Sequence, residues 1–366
     1  MIFSAQLPFL FMTVIRLMNS NQCNSQSPFL SPPEKLNSLW SRGCAFLGSS
    51  YGILGGAMTW VSERTLVSSI SNAGGFGVLA CGAMNPDLLR QEIEGTKSLT
   101  SKPFGVNIIT LHPQFDELLQ VLIETKVSHA ILGGGLPSAS AISLLNSADI
   151  RVMCFAPALV IAKKLLKNGV DALILEGSEA GGHIGPVSTN VLAQEILPIL
   201  GQDLPIFIAG GIGRGEAIVS YLEMGASGCQ LGTRFVCAFE SKAHPNFKQA
   251  FLKANARDAA VSIQIDTRFP VIPVRAITNG ATQDFIKMQQ TVIDQFNKGL
   301  IDQKSAQLKI EHYWAGTLRR AVVDGDIENG SLMAGQSVGM VTQEQSVHDI
   351  LQELLSQAYQ SLASRY

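Results

Sequence analysis

From residue 51 onward, short apolar runs alternate with stretches whose apolar positions recur every three or four residues. The runs lie near Tyr51–Leu54, Phe76–Ala80, Pro103–Asn107, His129–Leu132, Ile150–Phe155, Ala172–Leu175, Pro205–Ala209 and Gly228–Leu231. Between them, Phe115, Leu118, Leu119, Leu122 and Ile123 keep a helical spacing, as do Ile218, Tyr221, Leu222 and Met224. Strands that are apolar on both faces, each followed by an amphipathic helix, predict a parallel sheet covered on its outside. Eight such units predict an α/β chain folded as a (β/α)8 barrel. The rival is an open doubly wound sheet, which carries G-x-G-x-x-G after its first strand. Here the first strand runs into Gly55-Gly56-Ala57-Met58, and the similar-looking Gly210-Gly211-Ile212-Gly213-Arg214-Gly215 lacks the spacing and follows the seventh strand. The barrel is therefore the expected fold.

After the eighth strand the alternation stops. Residues 238–310 read as mainly helical and are expected to form a smaller cap domain inserted there. The expected division is an extension over 1–35, the barrel over 36–237, the cap over 238–310, and a segment returning to the barrel over 311–366. Glu344–Tyr366 reads as an amphipathic helix. The apolar run Leu7–Ile15 is too short to span a bilayer, which takes about 20 residues. No basic stretch precedes it, and the polar Asn19–Pro33 follows. It reads as a disordered extension, or as a start codon placed too early, with Met12 and Met18 as alternative starts.

Composition narrows the picture. With 46% hydrophobic and 15% charged residues, the chain has ample material for a core, and disorder as its main state is excluded. The 27 basic and 29 acidic side chains nearly cancel, which argues against nucleic acid as a partner. No unbroken apolar run is long enough for a membrane span. The 6 cysteines form no C-x-x-C and no zinc spacing, so a reducing cytoplasm is expected and no metal site. The 34 glycines follow no collagen period, so they belong at particular turns.

In a barrel the chemistry sits at the carboxyl ends of the strands. The first end offers Gly56, Ala57 and Met58, where bare backbone admits a flat ligand. The third offers Asn107, either a donor and acceptor for a heterocycle or a turn residue. The sixth runs Glu176-Gly177-Ser178-Glu179-Ala180-Gly181-Gly182-His183-Ile184-Gly185. Gly181 and Gly182 leave the imidazole of His183 room to face a cleft, and His is the usual acid or base near neutral pH. Glu176 comes straight off the strand toward a cofactor, whereas Glu179 reads as a solvated or helix-terminus charge. The seventh end gives Gly210 and Gly211, the eighth Gln230, Leu231, Gly232 and Thr233. Glycine turns after these two strands, feeding helix amino termini, form a phosphate cradle. The other histidines (His112, His129, His244, His312 and His348) lack an acid–base constellation and read as structural or exposed. Gly335-Gln336-Ser337-Val338-Gly339 matches G-x-S-x-G but follows no convincing strand, which argues against a nucleophile elbow.

Several stretches together resemble the nitronate monooxygenase superfamily of flavin barrels, and within it the flavin-dependent type II enoyl-acyl-carrier-protein reductases. They are Lys102-Pro103-Phe104-Gly105-Val106-Asn107, Glu179–Gly185, Gln230-Leu231-Gly232-Thr233-Arg234-Phe235, Ala243-His244-Pro245-Asn246 and Met333-Ala334-Gly335-Gln336. The resemblance implies one FMN, its phosphate on Gly210-Gly211 and Gly232-Thr233. It places the ring beside Gly56–Met58, Asn107 and Gln230, with Met333, Gly335 and Gln336 returning to its edge and His183 as the acid–base residue. The implied activity is NADH- or NADPH-dependent reduction of an enoyl thioester carried by acyl carrier protein, in fatty-acid synthesis. The expected assembly is a homodimer. The alternatives are oxidation of alkyl nitronates with dioxygen and, in a different class, a flavin-binding subunit without catalysis of its own. A barrel dehydrogenase of nucleotide monophosphates would carry a cysteine in the loop after the sixth strand, and this chain does not. Lys163, Lys164 and Lys167 are a candidate basic patch for the carrier protein, or a solvated helix face.

Overall fold

The structure is a computed structural model that describes residues 30–365 except 312. The expected extension is therefore mostly outside the described residues, but its last part is not an extension. Ser31 and Glu34 form a capping box, Pro32 opens the first turn, and a helix runs over Pro32–Leu47.

Strands follow in the order β1 (Ile53–Gly55), β2 (Val78–Ala80), β3 (Gly105–Ile109), β4 (His129–Gly133), β5 (Arg151–Phe155), β6 (Ala172–Glu176), β7 (Gly182–His183), β8 (Ile206–Ala209), β9 (Gly228–Leu231), β10 (Ala259–Val261), β11 (Val274–Ile277) and β12 (Leu332–Met333). The eight barrel strands pair in parallel in the order β1-β9-β8-β6-β5-β4-β3-β2. They coincide with the eight apolar runs of the sequence. The two ends of the sheet meet at a parallel bridge between Leu54 and Phe76. There Gly55 N donates to Phe76 O and Phe76 N to Ile53 O, each at 2.9 Å. The sheet is thus a closed (β/α)8 barrel.

Strand alternation sorts the core into two. Leu54, Phe76, Val78, Ile131, Met153, Ala172, Ile174, Phe207 and Ala209 fill the barrel interior. Their strand neighbours, such as Ile53, Leu79, Val106, Leu132, Cys154, Leu173, Leu175, Ile208, Cys229 and Leu231, pack outward against the helices. The bottom is plugged by the end of the first helix. His129 Nε2 lies 3.0 Å from Phe46 O and Nδ1 lies 2.9 Å from Ser128 Oγ. Phe46 and Phe76 meet the His129 ring edge-on. Burial pulls His129 down to about 4, with Arg151 adding repulsion, so the ring is neutral at physiological pH.

The cap separates β9 from the helix that completes the ring, Val347–Arg365, which packs between the helices Gly215–Glu223 and Arg64–Asn72. The cap is mainly helical, with Gly280–Asn297 and Gln303–Glu311, and it runs past the expected end at 310 to include Tyr313–Val322, because Trp314 packs into the cap's own core with Phe269, Phe285 and Val292. It also contains a small antiparallel sheet that the sequence pattern does not announce. β11 pairs with β10 along one edge, and with β12 and β7 along the other. Since β7 belongs to the loop after β6, this sheet ties the cap to the barrel mouth.

Candidate active site

At the carboxyl ends of the strands, alternation turns Asn107, Gly133, Phe155, Glu176, Ala209 and Gln230 toward the interior. A Cβ on Gly133 would meet the Phe155 ring at 3.1 Å and Asn107 Nδ2 at 3.5 Å, and one on Gly56 would meet Gln230 at 3.4 Å. Asn107 donates its amide to Ile131 O at 3.0 Å, which fixes the side chain and leaves Oδ1 for the mouth. Glu176 accepts no side-chain hydrogen bond among the described residues, and burial pushes its carboxyl up to about 7. Leu231 is placed differently: its side chain lies in the outer core, and only its carbonyl, which accepts Gly56 N at 2.8 Å, borders the site.

The rim after β1 is held from within. Ser62 Oγ donates to Gly56 O at 2.9 Å and accepts Met58 N at 3.0 Å, so Gly56, Ala57 and Met58 keep one shape. Met58 approaches Gly232 at the end of the neighbouring strand β9, with Sδ 3.5 Å from where a Cβ on Gly232 would stand.

Gly210 (φ +98°) and Gly211 (φ +71°) follow β8 in left-handed conformations that favour glycine. The backbone N–H groups of Gly211, Gly232 and Thr233 find no acceptor among the described residues. These donors lie together beside the mouth. The helix Gly215–Glu223 does not contribute its first N–H, because Gly215 N donates to Gln357 Oε1 at 2.8 Å. Thr233 has a second role, since its hydroxyl accepts Gly335 N at 3.0 Å.

The loop after β6 is anchored on three sides. Glu179 Oε2 accepts both the backbone N and the hydroxyl of Thr189 at 2.9 Å each, at the start of the helix Thr189–Leu200. It is a helix-terminus charge, as its position suggests. Glu179 O accepts Gln336 N at 2.9 Å, so Gln336 reaches this region through its backbone. Gly182 and His183 pair with Arg275 and Val274. His183 is exposed, and it stands with Met333 opposite alternate residues of β11, Val274 and Ala276, so the two share a face of the small sheet. The structure thus gathers Asn107, Glu176 and Gln230 in the mouth, the glycine turns after β8 and β9 beside it, and His183 with Met333 on the cap side.

Arg275 was not singled out by its sequence context, Pro-Val-Arg-Ala-Ile, which carries no signal. It is buried, donates Nε to Ser178 O at 3.0 Å and donates Nη1 to Ala259 O. Burial pulls its pKa down while Glu179 pulls it up. The Glu179–Thr189 contact was readable in principle, since Ser188-Thr189 ahead of an apolar stretch is a helix-start signal. Cys81, Cys154 and Cys237 are buried thiols, and burial pushes each up to about 12.

A closed barrel with its polar groups and glycine turns at the strand carboxyl ends has the layout of a (β/α)8 barrel enzyme. The family model described as nitronate monooxygenase matches residues 41–118 and 109–357, and the chain belongs to that family. A curated relative from Rhodococcus jostii, (3aS,4S,5R,7aS)-5-hydroxy-7a-methyl-1-oxo-octahydro-1H-indene-4-carboxyl-CoA dehydrogenase, is 29% identical over 85% of this chain and 94% of its own. A nitronate monooxygenase from Paraburkholderia phytofirmans is 31% identical over 64% of this chain and 76% of its own. Among solved structures, FabK from Thermotoga maritima superposes with a TM-score of 0.78 and 34% identity, covering 88% of this chain and 97% of that one.

Proposed function

We propose that the protein is an FMN-dependent reductase of enoyl thioesters that takes its electrons from NADH or NADPH. The observation that carries the reading is the pairing of an anion-binding set with a polar-floored mouth. The N–H groups of Gly211, Gly232 and Thr233 lack acceptors among the described residues, and Gly56, Gly133 and Gly232 keep the adjoining mouth free of Cβ atoms. These features fit a flat ring carrying a phosphate. FMN, when bound, supplies hydride acceptance and donation.

The chain's own residues would do the rest. Gly210–Gly211 and Gly232–Thr233 would hold the phosphate through backbone N–H groups. Asn107 Oδ1, Glu176 and Gln230 would meet the polar edge of the ring, with Glu176 able to donate because its carboxyl is pushed toward neutrality. Met333, Gly335 and Gln336 would shape the open side. His183 would hold or deliver the proton that the α-carbon of the thioester takes up, a role that an imidazole near neutral pH can fill. The resemblance to FabK and the acyl-CoA substrate named for the Rhodococcus relative both support a thioester. The carrier, acyl carrier protein or coenzyme A, is a choice between those two relatives.

The test is anaerobic. NADH or NADPH is added to purified protein and the visible flavin band is followed. Bleaching that crotonyl thioesters or longer enoyl thioesters reverse supports the reading, with coenzyme A and carrier-protein esters compared side by side. No bleaching by either nucleotide, together with oxygen uptake on alkyl nitronates, would replace it with the second reading, which the Paraburkholderia relative's name favours. The chromophore released by heat is expected to have the mass of FMN.

A further inference from the structure

We infer that Arg275 is a positioning residue, which holds the His183-bearing segment in place by gripping it at both ends. The inference rests on the proposed acid–base role of His183 for its effect on turnover, but not for its effect on the loop. The grip has two parts. At the far end of the segment, the backbone of Arg275 stands in register with Gly182, and its neighbour Val274 with His183. At the near end, the guanidinium reaches back to donate Nε to Ser178 O at 3.0 Å. A second nitrogen, Nη1, donates to Ala259 O in the neighbouring strand β10, which anchors the guanidinium to the cap. One cap residue therefore spans segment 178–182, and the planar fork of an arginine is what allows two carbonyls in different elements to be bound at once.

Among the described residues, no other side chain of the cap donates to the near end. Glu179 is tied to Thr189 on the barrel side, and its carbonyl to Gln336. Val274 N is taken by Ser262 Oγ at 3.0 Å, and Ile184 N donates to Pro273 O at 3.0 Å, so the register beyond His183 is fixed as well. Removing the guanidinium leaves the β7–β11 pairing in place, and Ser178 N still donates to Val187 O at 2.8 Å, but the Ser178 carbonyl is released and the loop's start is untied from the cap. The expected consequence is a histidine that is present but loosely aimed.

The test uses the full chain with Arg275→Met and, because a buried arginine is being removed, Arg275→Lys beside it. In the protein without substrate, hydrogen exchange of peptides covering 177–187 should quicken in both variants, while peptides of the helix Gly215–Glu223 stay at the wild-type rate. Lysine keeps the charge but cannot fork to two carbonyls, so it should fall between wild type and methionine. Exchange that is unchanged across 177–187 in both variants overturns the grip, whatever happens to activity.

The second measurement is a cycle with His183→Ala. An acid–base group contributes ~10²–10⁴-fold, and a misaimed one should lose about tenfold or more of kcat for thioester reduction. Nucleotide-driven bleaching, which does not call on His183, should stay close to wild type. The double variant should turn over no more slowly than His183→Ala alone. Losses that multiply would show that Arg275 acts elsewhere and overturn the positioning role. If His183→Ala itself leaves turnover intact, the acid–base reading fails, and the exchange result still judges the grip.

Discussion

Gly181 and Gly335 meet backbone to backbone: a Cβ added to Gly181 would stand 2.6 Å from Gly335 N and from Ala334 C. The loop that carries His183 and the loop that returns with Met333 are thus seated on each other at two glycines, with Thr233 Oγ1 holding Gly335 N from below at 3.0 Å. Neither loop can move without the other, and both border the mouth.

Gly181→Ala is expected to destabilise the protein by about 2 kcal/mol or more, at the upper part of the usual range for overpacking, because backbone cannot yield as a side-chain tip would. The same substitution should weaken flavin retention. Gly316→Ala is the control. Gly316 lies in the helix Tyr313–Val322, and a Cβ there meets nothing within 4 Å. It should stabilise by about 0.5–1 kcal/mol through helix propensity alone. Urea titration of both variants checks the contrast, and a neutral Gly181→Ala would refute the close seating of the loops.

Glu179→Ala should loosen the loop from the opposite side. It removes the acceptor for Thr189 N and for the Thr189 hydroxyl and takes a negative charge from the start of a helix. The expected cost is about 1–3 kcal/mol. Glu179→Gln keeps an acceptor oxygen and loses the charge, so it should fall between. Thermal melts at low and high salt separate the two contributions, since only the charge effect is screened.

His129 gives the fold an acid sensitivity that can be read by its sign. Its folded pKa is depressed to about 4 from 6.5, so the unfolded chain binds the proton more readily. Its stabilising contribution is complete above pH 6.5 and is lost as pH falls toward 4. At about 1.4 kcal/mol per pH unit over the shift from 6.5 to about 4, the ceiling is about 3.5 kcal/mol. His129→Leu loses two hydrogen bonds and starts from a lower stability, but its stability should decline less steeply between neutral pH and pH 4.5. Parallel slopes for variant and wild type would show that the plug histidine is not the acid-sensitive group.

Glu176 predicts the opposite sign. Its carboxyl is raised to about 7 from 4.5, so the folded protein binds the proton more readily than the unfolded chain. Stability falls as pH rises through that window, and Glu176→Gln, which cannot ionise, escapes the loss. In flavin-free protein, the melting temperature of Glu176→Gln relative to wild type should therefore rise from pH 5 to pH 8. A constant difference would mean that the carboxyl ionises freely at the mouth.

What the sequence made legible follows from range. The eight barrel strands are buried on both faces, so each is a run of apolar residues that local pattern reveals, and the glycine turns after β6, β8 and β9 stand out against them. Closure was not in the pattern, because the Leu54–Phe76 bridge joins residues whose pairing depends on the curvature of the whole sheet. The small cap sheet was invisible for a related reason. β7 is Gly-His and β12 is Leu-Met, too short for any period, and β7 finds β11 only because the chain returns to it far along the sequence. Arg275 shared that fate: its partners, Ser178 and Ala259, offer only carbonyl oxygens, which every residue has. Leu231 was readable only as part of a motif, and strand parity then turned its side chain outward.

His183→Ala is the decisive substitution for the proposed chemistry. The side chain is exposed, so the variant should fold and keep its flavin. Nucleotide-driven bleaching tests binding and reduction without the histidine and should be nearly unaffected. Reoxidation by an enoyl thioester needs a proton at the α-carbon and should slow by ~10²–10⁴-fold, the usual worth of an acid–base group. His183→Gln retains a donor of similar reach without a titrating proton, so it should recover orientation but not the pH dependence of reoxidation. Stopped-flow traces of the two half-reactions, taken separately, decide the matter. A slowed bleaching step with normal reoxidation would move His183 from the thioester to the nucleotide, and unchanged rates in both would remove it from the mechanism.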